Sequence, residues 1–422
     1  MRSTVEFRFA HFISLSLLLA LILSAPASAQ QKTAAKPKIR AITAFVNLER
    51  EHYRVQISDA LTMLKRAQTI FESRGYQVQT IRIATQPFPE YTRGLSAAEA
   101  VAFFKEYDAL AIKEKFAASI GPAMLKPGDG MEQAELLATI MSNTKTLNGS
   151  VVVAGEDGVR WPAVGAAARV MKELENSTDH SLGNFRFAAI AMVPPLTPFF
   201  PAAYHTGFGH QFTVGLESAN VVEEAFANAP DIATARQRLT DLLAAAGFDI
   251  QGHAERIDTE TGWTYMGIDL SPAPSGNVSI GAAIEKLTMQ PFGSSGTLTA
   301  VATITAGIKD VKVKQAGYSG LMLPILEDPR LAQRWNQGRI SLDALLSYSS
   351  VCATGLDTIP LAGDTSEEQL SLIIGDMASL AAKWHKPLAA RLLPAKGKEP
   401  GELTEFDDPF LVNAKIQQLN WK

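Results

Sequence analysis

The stretch IRAITAFVNLEREHYRVQISDALTMLKRAQTIFESRGYQVQTIRIAT, residues 39–85, changes its hydrophobic rhythm twice. Residues 39–46 are apolar with β-branched side chains at intervals and read as a strand. From about residue 55 to 74, Ile57, Leu61, Leu64, Ala67 and Phe71 recur every three or four residues, the stripe of an amphipathic helix. Gly75 stands where a helix C-cap needs a left-handed residue, and residues 78–85 form the next strand. A strand–helix–strand unit of this length is a parallel crossover, which is normally right-handed.

Outward from this unit the alternation continues. Helices are expected at residues 97–106, 131–141 and 162–174, and strands at 150–154 and 185–193. VPPLTPFFPAAYH, residues 193–205, holds four prolines in thirteen residues and is a loop with a fixed path. A strand at 211–216 and helices at 220–228 and 232–245 follow. After the strand WTYMGIDL comes a second stiff loop, SPAPSGNVS, and then helices at 280–287, 296–308, 328–336, 342–349 and 366–384. KPLAARLLP is the last strand, and the tail from about residue 395 is irregular. Strands alternating with helices specify an α/β fold with mostly parallel strands. Eight to ten strands in one large domain, residues 39–422, suit a closed barrel better than an open sheet. Functional loops then belong at the carboxyl ends of the strands.

The first residues carry a different message. Arg2 and Arg8 precede the apolar run of residues 12–23, and Ala27 and Ala29 flank Ser28 in a small-x-small exit. This is the pattern of a secretory signal peptide, residues 1–29, followed by a polar tether, residues 30–38. A membrane anchor would need about 20 apolar residues, more than this run supplies. The chain is therefore expected to be periplasmic or secreted by the general secretory route, with no membrane span after cleavage. Cleavage would leave 37 basic and 42 acidic residues, too mild a balance for nucleic acid or an anionic membrane surface. With one cysteine, Cys352, no internal disulfide forms, and stability rests on the core.

Several loops carry candidate chemistry. AYHTGFGHQ places His205 and His210 around two glycines, with Glu217 at the end of the next strand. His205 is a candidate acid or base, and the three together are a candidate metal set; both histidines also read as ordinary loop residues. FGSSGTLTA sets Gly293, Ser294, Ser295, Gly296 and Thr297 at a helix start, which is either an anion seat or a plain cap. Glu327 and Asp328 end an apolar run; Asp328 before Pro329 reads as an N-cap, leaving Glu327 as a candidate base or ligand. Cys352 is a candidate nucleophile if something lowers its pKa, and otherwise a small buried hydrophobe. Asp357 follows the Gly355 turn as a polar partner.

The segments VPPLTPFFPAAYH, VGLESANVVEEAF, GIDLSPAPSGNVSIGAAIEKL, FGSSGTLTA, GYSGLMLPILED and SSVCATGLDTIPLAGD, in this order, resemble the domain-of-unknown-function 711 family, also called the pyruvate formate-lyase-like family. The resemblance runs from KIRAITAF to FDDPFLVNA. It implies a large ten-stranded α/β barrel similar to that of the glycyl-radical enzymes, and it implies no particular activity or cofactor. His205, Asp269, Gly296, Thr297, Glu327, Cys352, Gly355 and Asp357 match its motif positions. Where the family pattern has VGVSGPGVV, this chain has VGLESANVV, which brings in Glu217. The tail lacks an Arg-x-x-Gly-Tyr type loop, so glycyl-radical chemistry is not expected. The reading that results is an exported enzyme acting on a small polar or anionic metabolite at the barrel mouth. Its rival is a non-catalytic small-molecule-binding protein, and self-association stays open.

Overall fold

The helix and two strands that decide the fold form as their periodicity demands. Strand β1 is Lys38–Val46, the helix behind it is Tyr53–Ser73, and β2 is Val78–Thr85. The computed structural model describes residues 36–274 and 278–419, so the expected leader and all but the end of the tether lie outside the described residues. The described residues form one compact unit.

The remaining strands are β3 (Ala117–Ala123), β4 (Leu147–Gly155), β5 (Gly158–Val159), β6 (Phe187–Ala191), β7 (Gln211–Glu217), β8 (Thr264–Asp269), β9 (Gly355–Ala362) and β10 (Leu388–Ala395). All ten belong to one mixed sheet, in the order β8-β7-β1-β2-β3-β4-β6-β10-β9, with the two-residue β5 folded back on β4. Strands β1, β2, β3, β4 and β6 run parallel. β7 and β10 pair antiparallel to that set at either side, and β8 and β9 run parallel to them in turn. The sheet ladders therefore end at β8 and β9. Between these ends passes the segment of residues 314–326. Ala316 N–H donates to Ile268 O at 2.9 Å, and Ile268 N–H to Lys314 O at 2.8 Å. Further on, Ala353 N–H donates to Leu321 O at 2.8 Å and Ile325 N–H to Asp357 O at 3.0 Å.

The two faces of the sheet have different jobs. Ile39, Ile42, Ala44 and Val46 of β1 pack with Ile57, Leu61, Leu64 and Phe71 of the following helix in the main core. Each fully buried aliphatic or aromatic side chain of this kind contributes about 1.5–3 kcal/mol. Phe45 turns the other way, with Ala84, against Leu196, Phe200 and Ala203 of the proline-rich loop. Phe199 and Ala202 of that loop join Val152, Ala188, Ile190, Tyr318 and Ala389 in a further inner cluster. The loop of residues 193–205 thus lies against the sheet's inner face. Ser119 Oγ donates to Ala203 O at 2.8 Å and Tyr204 Oη to Val193 O at 2.8 Å, holding it there.

Several elements differ from expectation, among them the helix expected at 97–106, which runs from Ala97 to Glu114. AASIGPA is a strand although Gly121 and Pro122 interrupt it; the register shifts between Ser119 and Pro122, and a Cβ at Gly121 would stand 2.6 Å from Gln86 O. GLDTIPLA looked like turn chemistry but is the wholly buried β9, with Thr358 at φ 49°. The helix expected at 232–245 runs from Ile232 to Thr261, its buried stripe continuing through Gly247, Ile250, Ala254 and Ile257. Among the described residues the tail beyond β10 has neither helix nor strand, yet it is fastened. Trp335 Nε1 donates to Lys415 O at 2.8 Å, Leu403 bridges Lys415, and Phe406, Ala414 and Ile416 are buried.

Candidate functional site

Arg391, on β10, is the centre of a charged cluster on the inner side of the sheet. The residue is 4% exposed. Nε donates to Asp357 Oδ1 at 2.7 Å, and Nη2 lies 2.6 Å from the same oxygen. Nη2 also donates to Glu327 Oε1, while Glu327 Oε2 accepts from Arg40 Nη2 of β1 at 2.9 Å. The rings of Phe185 and Phe199 face the Arg391 guanidinium at 4.9 and 5.5 Å, a stacking that favours a planar cation. Local backbone bonds hold the two carboxylates in place. Ile325 N–H is tied to Asp357 O, and Leu326 N–H donates to Thr358 Oγ1 at 3.1 Å, which fixes Glu327 beside β9.

A second arginine of the cluster is less committed. Arg82 of β2 donates from Nε to Thr80 Oγ1 at 3.0 Å and from Nη1 to Pro198 O at 3.3 Å, with its guanidinium 4.9 Å from the Phe200 ring centroid. Thr80 Oγ1 in turn donates to Arg40 O at 2.8 Å, which couples the two neighbouring strands. Among the described residues no carboxylate stands within ion-pair distance of Arg82. Burial, then the repulsion of Arg40 and Arg391, pulls its pKa down to about 9 against the pull of Glu327. The side chain of Arg40 is 29% exposed, so the cluster reaches solvent on this side.

The two carboxylates are driven apart electrostatically. Burial pushes Asp357 up, reinforced by the neighbouring Glu327 charge and opposed by Arg391. Burial also acts upward on Glu327, but Arg391 and Arg40 together outweigh it and hold that carboxyl below its usual range. Asp357 therefore accepts a proton before Glu327 does, the kind of split that lets a carboxylate pair act as acid and base.

Glu327 and Asp357 are thus brought together, and the other expected residues lie elsewhere. His205 is fully buried, with Nε2 2.6 Å from Gln211 Oε1, Nδ1 without a partner, and its backbone N–H on Thr85 O at the far end of β2. Burial lowers its pKa, which disfavours the imidazolium. His210 is half exposed and stacks on Trp263 at 4.7 Å. Glu217 lies at the opposite end of β7, 3.3 Å from Lys38 Nζ and accepting from Gln79 Nε2. Seven residues of strand span roughly 20 Å, so Glu217 and His205 do not converge. Among the described residues no cluster of three or more His, Cys, Asp or Glu side chains is arranged to hold a metal ion.

Cys352 has no exposed surface and belongs to the outer hydrophobic core. The Gly293–Thr297 turn uses its own donors: Gly293 N–H goes to Thr297 Oγ1, Ser294 N–H to Pro291 O, and Thr297 N–H to Ser294 O. Glu285 accepts from Phe292 N–H at 2.9 Å beside it, bringing a carboxylate to this helix start. Ser295 is exposed, and Gly296 is the left-handed residue that precedes the helix. Asp269 is a buried anchor: it accepts from the backbone of Ser271, Tyr318 and Ser319 and from Ser271 Oγ. A Cβ at Gly317 would stand 2.2 Å from its Oδ2, which explains the glycine.

Arg40, Arg82 and Arg391 are the site residues that motif reading missed. Their signal was a lone arginine inside each of three buried apolar strands, IRAITAF, QTIRIAT and AARLLPA. A charge in such a place is rare unless it is partnered.

Fold and site together define an α/β protein with a ten-strand mixed sheet and an arginine–carboxylate cluster on its inner side. The chain belongs to the DUF711 family, described as uncharacterised ACR, whose pattern matches residues 32–408. It is 31% identical over 401 residues to a UPF0210 protein of Pyrobaculum islandicum, covering 87% of each chain. Against a UPF0210 protein of Pyrobaculum arsenaticum the identity is 29% over 364 residues, covering 81% of this chain and 78% of the relative. Among solved structures, an anaerobic ribonucleotide reductase from Thermotoga maritima, in complex with dATP and CTP, superposes with a TM-score of 0.39. The identity is 8%, over 84% of this chain and 75% of that chain.

Proposed function

We propose that the protein is an enzyme acting on a small anionic metabolite held at Arg82 and Arg40, with Asp357 and Glu327 as the proton-handling pair. The observation that carries this reading is Arg82, a largely buried arginine with two neighbouring cations and, among the described residues, no carboxylate within ion-pair distance. An anion between Arg82 and Arg40 would relieve their repulsion and use the N–H groups that Pro198 and Thr80 leave free. In this reading the sheet closes as a barrel through residues 314–326, whose backbone bonds reach both β8 and β9. The barrel would enclose the cluster except on the side where Arg40 meets solvent.

Isothermal titration calorimetry with acetate, succinate and inorganic phosphate tests the binding step. Heat that saturates in wild type and vanishes in Arg82→Gln supports the reading, and equal heat in both variants removes it. A non-catalytic binding protein is the second reading. It is favoured by the full engagement of Asp357 and Glu327 in ion pairs and by the distance of His205 from them.

Export remains part of the proposal. The family pattern begins at residue 32, just past the expected cleavage point. Mass spectrometry of the protein recovered from the cell envelope would show a chain starting at Gln30. A chain retaining residues 1–29 in the cytoplasm would contradict export.

A further inference from the structure

Two buried threonines stand beside Arg82 with hydroxyls that no protein contact uses. Faces alternate along β1: Ile42, Ala44 and Val46 belong to the main core, whereas Phe45 packs against the proline-rich loop. Thr43 therefore shares the inner face with Phe45. On β7, Phe212 and Val214 belong to the main core, which turns Thr213 inward as well. The ladders set these residues in one row, because Thr43 is paired with Thr213 on one side and with Arg82 on the other. Paired residues on neighbouring strands stand roughly 5 Å apart with their side chains on the same face. Thr43 and Thr213 have no exposed surface, and neither Oγ1 has a hydrogen-bond partner among the described residues. Opposed threonines commonly bond each other, and a buried hydroxyl left without a partner is costly. Two of them next to a guanidinium that lacks a carboxylate point to a ligand group that both donates and accepts.

We infer that Thr43 and Thr213 recognise a hydroxyl group on the ligand, so that the arginine site selects a small 2-hydroxycarboxylate. This rests on the anion-binding reading of Arg82. The next row toward Arg40 is Gly215, Ala41 and Thr80. Arg82 Nε reaches back to Thr80 Oγ1 at 3.0 Å, which lays the guanidinium over this row. Gly215 and Ala41 bring only a hydrogen and a methyl group there. Pro198 walls the row on the β7 side, its Cγ 3.6 Å from where a Cβ at Gly215 would lie. The two rows are two residues apart, roughly 6–7 Å along the strand. A carboxylate on the guanidinium and a hydroxyl on the adjoining carbon span that step together with their own hydrogen bonds. The ligand enters on the side where Arg40 meets solvent, leaves its carboxylate on Arg40 and Arg82, and carries its hydroxyl inward to the threonine pair. A methyl group in the same place would satisfy neither threonine.

The test is calorimetry on the full chain at pH 8, with acetate, glycolate and propionate as probes, in wild type, Thr43→Val, Thr43→Ser, Thr213→Val and Arg82→Gln. Glycolate and propionate have the same shape and differ by a hydroxyl in place of a methyl group. Wild type is expected to bind glycolate about tenfold more tightly than propionate. Thr43→Val and Thr213→Val should each reduce that ratio, and leave acetate affinity within about twofold, while Thr43→Ser keeps the ratio. Arg82→Gln is expected to lose all three anions. Equal affinity of wild type for glycolate and propionate, or a ratio unchanged in both valine variants, overturns hydroxyl recognition; if Arg82→Gln still abolishes acetate binding, the anion site stands. Binding of no probe by wild type, or undiminished binding by Arg82→Gln, overturns the anion site and hydroxyl recognition with it.

Discussion

Asp357 on β9 and Arg391 on β10 meet across two neighbouring parallel strands, with Nε and Nη2 of the guanidinium 2.7 and 2.6 Å from one carboxylate oxygen. The same Nη2 serves Glu327, so one buried cation bridges two buried carboxylates. Removing it strands Asp357 and leaves Glu327 to Arg40 alone. Arg391→Met is expected to cost about 3–5 kcal/mol in urea unfolding, the usual loss when one partner of a buried ion pair is deleted. Adding Glu327→Gln and Asp357→Asn to that variant should recover much of the loss. A single-variant cost below about 1 kcal/mol would mean the pairings contribute little.

The opposite shifts of the two carboxylates predict opposite pH signatures. Glu327 is held low when folded, so the stability it contributes is present above its unfolded pKa of about 4.3 and disappears as pH falls through the folded value. Asp357 is held high when folded, so its ionisation costs stability as pH rises from about 3.9. Urea unfolding between pH 3 and 7 should show the advantage of wild type over Glu327→Gln shrinking toward acid. Over Asp357→Asn it should shrink toward neutrality. Identical slopes for the two variants would contradict the split.

Asp328 offers a purely structural prediction. Its Oδ1 accepts from Arg330 and Leu331 N–H, and its Oδ2 from Ile280 and Gly281 N–H, so one buried carboxylate caps two helices. Losing an N-cap typically costs about 0.5–2 kcal/mol; Asp328→Ala should cost about twice that in urea unfolding. A change under about 0.5 kcal/mol would show that the two helix starts find other acceptors.

Cys352 should be chemically silent. Its thiol has no exposed surface and sits among core residues. Labelling by a thiol reagent should follow global unfolding in urea, and Cys352→Ala should keep the anion affinity of wild type. Rapid labelling of the folded protein would require a local opening around residues 349–355.

Much of this architecture was legible in the sequence wherever hydrophobic period and punctuation agreed. The helix Tyr53–Ser73 and the strands flanking it follow from spacing, and the capping boxes at Ser96 and Ser366 mark their helix starts. β3 and β9 were hidden because Gly121, Pro122, Gly355 and Pro360 imitate turn chemistry inside buried strands. The site was half legible. Glu327 and Asp357 stand where apolar runs meet turns, but Arg82 and Arg391 gain meaning only when the sheet sets them side by side. His205 ends a proline-rich loop as expected, yet that loop lies against the sheet's inner face and carries the imidazole to the far end of β2.

The most direct test of the account is the affinity of Arg82→Gln for acetate, measured by calorimetry beside wild type, with circular dichroism to verify the fold. Arg82 is the one cation of the cluster without a carboxylate partner among the described residues. The account predicts saturable binding in wild type and at least a tenfold loss in Arg82→Gln, with the same circular dichroism spectrum. Equal affinity in the two proteins would contradict it.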